Sequence, residues 1–286
     1  MSDVLLWRGD MKISTTTHII LPEGNMPFSE AVELIALAGF KNVDVSFSTE
    51  KASFEEEDWI SRVEEMKRNC VDASLEPSVA HAYFVKSETE FEDYDMSRLQ
   101  MHYERNILAA EMLGIPWIVV HPMNSSRLPF ETMLEENWKL FSAFIPLLEK
   151  HHVGIAIENM RGNHFRKASE LIQLVNALNS RCFGVCWDVG HANIGKQNQY
   201  ESIGLLGDFL KVTHINDNFG GPVDLHILPY TGTVDWKSVL SALKEIRYQG
   251  CFDYEIVNYM KWYSPVFFPK MMQFAYELAC YMTKEL

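Results

Sequence analysis

Nine side chains of metal-ligating type stand at the ends of apolar runs or just beyond them: His81, His121, Glu158, Asp188, His191, His214, Asp224, His226 and Glu255. Imidazole and carboxylate together suit Zn²⁺, Mn²⁺, Fe²⁺ or Co²⁺ better than Ca²⁺, which prefers oxygen alone. An apolar strand that ends inward in a carboxylate, as the runs before Glu158 and Glu255 do, leaves a buried charge that a cation or ion pair must neutralise. Few Lys or Arg residues sit at those ends, so a metal ion is the economical partner. Taken singly, His81 and His121 read as hydrogen-bonded core histidines, the commoner fate of a buried imidazole. Asp224 and His226 are two residues apart, so in an extended segment they share a face and can grip one ion. His18, His102, His151, His152 and His164 fall outside this pattern and read as structural or solvated. Segments 216–221 and 231–233 read either as plain turns or as loops that touch substrate.

Bringing distant residues to one place requires a repeated frame. Apolar β-type runs alternate with longer helical patterns from end to end, the signature of βα units around a parallel sheet. Strands are expected at 13–18, 42–46, 73–81, 117–121, 153–158, 183–188, 212–216 and 251–256. Helices are expected near 30–38, 55–69, 97–113, 131–150, 168–178, 199–208, 236–247 and 265–283. Gly39, Gly114 and Gly250 punctuate three helix-to-strand joints. No linker or low-complexity tract divides the chain, so one (β/α)8 TIM barrel spanning residues 1–286 is the expected architecture.

Successive strand side chains alternate faces, which assigns an inner and an outer set. In 153–158, Val153, Ile155 and Ile157 point outward while Gly154, Ala156 and Glu158 point inward. In 183–188, Phe183, Val185 and Trp187 point outward, with Gly184, Cys186 and Asp188 inward. The same rule turns Val212, His214 and Asn216 inward, together with Cys251, Asp253 and Glu255. The rim at the strand C-termini carries the function of such barrels. Parallel strands lie about 4.8 Å apart, so inward residues of one height on strands five to eight converge on one ion.

Composition excludes other classes. Of 286 residues, 47% are apolar, ample for a sizeable core. A net charge of −14 repels phosphate backbones, and no Lys/Arg-rich run offsets it, so nucleic acid is disfavoured as a partner. Five scattered cysteines, Cys70, Cys182, Cys186, Cys251 and Cys280, read as reduced thiols and include no zinc-ribbon CxxC pair. No run approaches the ~18 apolar residues of a membrane span. The start, MSDVLLWRGDMK, lacks the pattern of a secretory leader, so a cytoplasmic location is expected. The aromatic segment 259–281 reads as a lead-in and buried terminal helix, with an exposed part available for a homo-oligomer contact.

The motifs HPMN at His121, IENM at Glu158, WDVGHANI at Asp188 and His191, THINDN at His214, DLHILPYTGTVDW at Asp224 and His226, and FDYEIV at Glu255 resemble, in this order, the xylose isomerase-like TIM-barrel superfamily. This group holds sugar phosphate isomerases and epimerases and the endonuclease IV-type AP endonucleases. The isomerase resemblance implies that Glu158, Asp188, His214 and Glu255 hold one divalent ion, zinc or manganese first, with cobalt, magnesium or iron as alternatives. It also implies that Glu158 and Glu255 are an acid/base pair working through an enediolate, that His191 contacts substrate or assists proton movement, and that the substrate is a small carbohydrate. The endonuclease resemblance implies three zinc ions on all nine residues, with His81, His121, His191, Asp224 and His226 completing the set. One departure is the segment INDNFGGP, where related sugar epimerases often carry an arginine.

Overall fold

The computed structural model describes residues 11–85, 89–284 and 286. The leader reading at 1–10 lies outside them, as do 86–88 in the third βα unit. Eight parallel strands form the wall: β1 (Lys12–Thr15), β2 (Asn42–Ser46), β3 (Glu76–His81), β4 (Trp117–Val120), β5 (Gly154–Glu158), β6 (Phe183–Asp188), β7 (Leu210–His214) and β8 (Cys251–Tyr254). They run in the order β1-β8-β7-β6-β5-β4-β3-β2. A bridge between Thr16 and Asp44, with the Thr17 amide donating to the Asp44 carbonyl at 2.9 Å, brings β1 to β2 and completes the (β/α)8 barrel. A short hairpin, Ile20–Leu21 with Gly24–Asn25, follows β1.

The helices between strands are α1 (Phe28–Ala38), α2 (Trp59–Asp72), α3 (Met96–Leu113), α4 (Phe130–Ser142), α5 (Ile145–His151), α6 (Ala168–Leu178), α7 (Val189–Ile194), α8 (Gln199–Leu206), α9 (Trp236–Glu245) and α10 (Phe268–Thr283). Gly39 and Gly114 end α1 and α3 in left-handed geometry, as their placement in the sequence implies.

Several boundaries shift by a few residues, with β1, β7 and β8 ending at Thr15, His214 and Tyr254 where 18, 216 and 256 are expected, and three departures have a plain cause. The helix expected over 131–150 is two, because Pro146 sits in the first turn of α5, where it has no N–H to continue the helical ladder from α4. The strand expected from 73 starts at Glu76, since Ser74, at φ +57, still belongs to the turn that ends α2. The helix α7 was not anticipated, and its six residues are too few to show a helical period.

The strand faces separate two cores. Ile155, Ile157, Phe183, Val185 and Trp187 join the large core between sheet and helices. Val79, Trp117, Val119, Ala156, Cys186, Val212 and Cys251 form a second cluster filling the barrel interior. The lower interior is taken by Trp117, and a β-carbon on Gly154 would lie 2.3 Å from its ring. Glycine at 154 is therefore the space that the indole occupies. The five cysteines are free, and Cys280 alone of them is not buried.

Candidate metal centre at the barrel mouth

Register sets the site. Asp188 on β6 is the cross-strand partner of His214 on β7. His214 in turn faces Asp253 on β8, so Glu255 lies just above that pair. Glu158, on β5, is paired with Cys186. These positions bring ligand atoms of Glu158, Asp188, His214 and Glu255 within 4.8 Å of one another. The Nδ1 of His214 is 3.4 Å from Glu158 Oε1, 3.8 Å from Asp188 Oδ2 and 3.1 Å from Glu255 Oε2.

Asp188 is fixed from three directions. Its Oδ1 caps α7 by accepting from the His191 amide at 2.5 Å. Its Oδ2 accepts from Asn216 Nδ2 at 2.7 Å. Asn159 completes the frame, accepting from the Asp188 amide at 2.6 Å and donating to its carbonyl at 2.9 Å. The short helix α7 thus exists because Asp188 caps it, and it carries His191 over the quartet.

The outer residues gather at the same mouth. His81 Nε2 and His121 Nε2 approach Glu158 Oε2 at 3.4 and 3.2 Å. His191 Nδ1 stands 3.1 Å from Glu158 Oε1 and donates to the Asn159 carbonyl at 2.9 Å. Its Nε2 pairs with Asp224 Oδ2 at 2.9 Å. On the far side, His226 places Nε2 3.0 Å from Asp224 Oδ1 and Nδ1 3.1 Å from Glu255 Oε2. Asp224 therefore bridges two imidazoles, each of which touches one of the two glutamates. Three further ligand groupings use the outer set, namely His81 with His121 and Glu158, His81 with His214 and Glu255, and Asp188 with His191 and His226. Asp224 belongs to none of them.

The electrostatics follow from burial among opposite charges. Burial raises the Glu158 carboxyl, but His214 and His121 outweigh it and hold the group well below the usual carboxylate range. Glu255 behaves likewise, opposed by His214 and His226. Burial lifts Asp188 to about 6 against the pull of His191 and His226. Burial depresses His191, yet Asp188 and Asp224 outweigh it and hold the ring well above its ordinary value. Acceptors on both nitrogens of His191 require both to carry protons.

A cation fits this donor set. Glu158 Oε2, His214 Nδ1 and Glu255 Oε2 are buried, and among the described residues none has a partner at hydrogen-bonding geometry, although other site atoms stand close by. Buried polar atoms left in that state are costly, and an ion at their centre satisfies all three at once. One histidine and three carboxylates suit a borderline divalent ion.

Two ionisable residues of the mouth escaped the sequence reading. His18, read as structural or solvated, lines the cavity with Thr16, Ser46, Ser48 and Phe84. Burial lowers this imidazole to about 4. Arg161 lines it too, with Nε 3.7 Å from Asp224 Oδ2, and supplies from the loop after β5 a cation that INDNFGGP lacks after β7. A signal for His18 existed, since it ends the strand expected at 13–18; Arg161 follows Glu158 by three residues in a loop without periodicity. The segment 216–221 is largely framework: Asp217 accepts from the amides of Asn218 and Val234 and from Trp236 Nε1.

The fold and this mouth define a (β/α)8 barrel with a buried carboxylate–histidine centre. The chain belongs to the xylose isomerase-like TIM barrel family, whose profile matches residues 32–272. It is 30% identical over 154 residues to the uncharacterized protein y4fM of Sinorhizobium fredii, covering 51% of this chain and 49% of that one. A second match, MJ1311 of Methanocaldococcus jannaschii, is 30% identical over 149 residues, covering 49% and 50%. The chain thus spans about half the length of the curated relatives it matches. Among solved structures it resembles a D-tagatose 3-epimerase-like protein, with TM-score 0.74, 21% identity and coverage of 96% and 97%. The IOLI protein with a bound zinc atom has TM-score 0.77, 16% identity and coverage of 96% and 99%. The 3-keto-D-glucoside 4-epimerase YcjR of E. coli has TM-score 0.69, 19% identity and coverage of 93% and 99%. At these identities the likeness is one of fold.

Proposed function

We propose that this protein is a divalent-metal-dependent isomerase or epimerase of a small sugar, sugar phosphate or related ketone. The observation that carries the reading is the quartet Glu158, Asp188, His214 and Glu255, whose ligand atoms meet within 4.8 Å at the barrel mouth. These four residues would hold the ion, zinc or manganese in first place. When bound, it supplies a Lewis acid that polarises substrate oxygens. Glu158 and Glu255 reach the cavity from β5 and from just past β8, and each takes or returns a proton at a carbon beside a carbonyl. His191 stands beside Glu158 and His226 beside Glu255, each ring held by a backbone carbonyl, that of Asn159 and that of Glu255. The epimerases among the structural neighbours, and the zinc in the IOLI protein, support this assignment. The reading includes one barrel domain over 1–286, a cytoplasmic setting and self-association.

The test is proton exchange. Metal-loaded protein incubated with D-fructose, D-tagatose or D-allulose in D2O should incorporate deuterium at a carbon next to the carbonyl, followed by NMR, and should form the epimer or isomer. A fully metal-loaded protein that exchanges no proton in any ketose or ketose phosphate offered would overturn the reading.

A three-metal phosphodiesterase acting on abasic DNA is the second reading, favoured by the additional ligand groupings on the outer residues. The net charge of −14 and the carboxylates around the mouth oppose it. Metal-dependent nicking of an abasic duplex at low salt would establish it in place of the first.

A further inference from the structure

The metal cavity has a neighbour. The inner chamber, of about 200 Å³, shares His121, Met160 and Arg161 with an outer one of about 470 Å³. The inner volume lies below the roughly 300–1,000 Å³ typical of small-molecule sites, whereas the outer chamber alone falls within that range. Arg161 is the partition: its Nε faces Asp224, and its Nη1 donates at 3.3 Å to the carbonyl of Pro222, a wall of the outer chamber.

Val85, Tyr94, Pro122, Ile194 and Pro222 line the outer chamber with apolar and aromatic side chains. Three polar side chains stand among them, the shared His121 and Arg161 and, belonging to the outer chamber only, Asn124. Asn124 accepts from the Ser125 amide through Oδ1 at 2.9 Å, while its Nδ2 has no hydrogen-bond acceptor among the described residues. That Nδ2 lies against Gly162, where a β-carbon would come within 2.1 Å of it. Glycine at 162 therefore leaves room for the amide beside the chamber.

We propose that the outer chamber is a second subsite, holding a ring-bearing substituent O-linked to the sugar that reacts in the inner one. This rests on the isomerase or epimerase reading and narrows its substrate class to glycosides whose reacting sugar carries a ketone, since the O-linkage locks the anomeric carbon. Rings with an apolar face pack on Tyr94, Pro122 and Met160, and an acceptor at their edge meets Asn124 Nδ2. A second sugar ring and an aryl group share this chemistry.

Binding to the zinc-loaded full chain by calorimetry tests it, with methyl β-D-glucopyranoside, phenyl β-D-glucopyranoside and cellobiose as probes. At least one ring-bearing probe should bind ten times or more tighter than the methyl glycoside. If phenyl glucoside gains the advantage the substituent is aryl, and if cellobiose does it is a sugar. Ile194→Trp fills the chamber and should bring the affinity ratio close to one. Asn124→Ala, a smaller change, should reduce the ratio three-fold or more. Equal affinities in the parent protein, or a ratio untouched by both variants, overturn the proposal. Ketose exchange without a ring preference removes the subsite alone; a ring preference without exchange of any ketose or keto-glycoside removes the isomerase reading and leaves the subsite.

Discussion

Asn216, two residues past His214 at the end of β7, donates its side-chain amide to Asp188 Oδ2 at 2.7 Å and holds the carboxylate toward His214. Partners of this kind set the direction of metal ligands, and their loss typically costs about 10–100-fold in affinity. Asn216→Ala should weaken zinc binding by about that factor with the circular dichroism spectrum retained. An unchanged zinc affinity would show that α7 alone directs Asp188.

The two glutamates should be separable from the rest of the mouth. Glu158→Gln and Glu255→Gln keep the shape of the side chain and remove its basicity, so each should lower ketose proton exchange by about 100-fold or more. Exchange kinetics read by NMR, alongside metal content, distinguish loss of the base from loss of the ion. Retained exchange in both variants would assign the proton transfer elsewhere.

Metal affinity should rise with pH. Burial holds Asp188 in its protonated form up to about 6. His214, although opposed by burial, is held well above its ordinary value by Cys186, Glu255 and Glu158. An ion must displace these protons, so binding is weakest below pH 6 and strengthens as the pH climbs from 5.5 to 8. Competition with a chelator across that range measures the slope, and a flat profile would contradict the arrangement.

Metal count and thermal stability give a joint prediction. An ion at 1,000 times its dissociation constant adds about 4 kcal/mol to stability, provided it binds only the folded chain. At roughly 2–4 °C per kcal/mol for a domain near this size, zinc should raise Tm by about 10 °C and EDTA should reverse it. One equivalent by elemental analysis accords with the isomerase reading, and three with the nuclease.

Gly154 supplies a control far from the chemistry. Gly154→Ala drives a methyl into the Trp117 ring at the base of the barrel, with an expected cost of about 1–3 kcal/mol from overpacking. Urea denaturation measures it. The metal stoichiometry of the folded fraction should stay as in the parent protein.

Much of this was legible from strand parity. The inward turn of Ala156, Cys186, Val212 and Cys251 follows from a two-residue period and returns as the barrel interior. The carboxylates at 158 and 188 follow from the same count. What parity does not reach is loop geometry. Arg161 and Asn124 lie in segments without a period, and the two bonds that Asp224 makes to His191 and His226 depend on a turn at His226 with φ +44. The break between α4 and α5 did have a signal in Pro146, but a strong helical pattern on both sides masked it.

The sheet order divides the mouth unevenly. Every member of the quartet comes from β5 through the residues just past β8, whereas the first three βα units contribute wall residues such as Thr16, Ser46, Ser48 and Phe84. Half of the chain therefore carries the quartet, and the other half adds wall residues together with His18 and His81. A barrel divided in this way separates the residues that fix a buried charge cluster from many of those that shape the cavity above it.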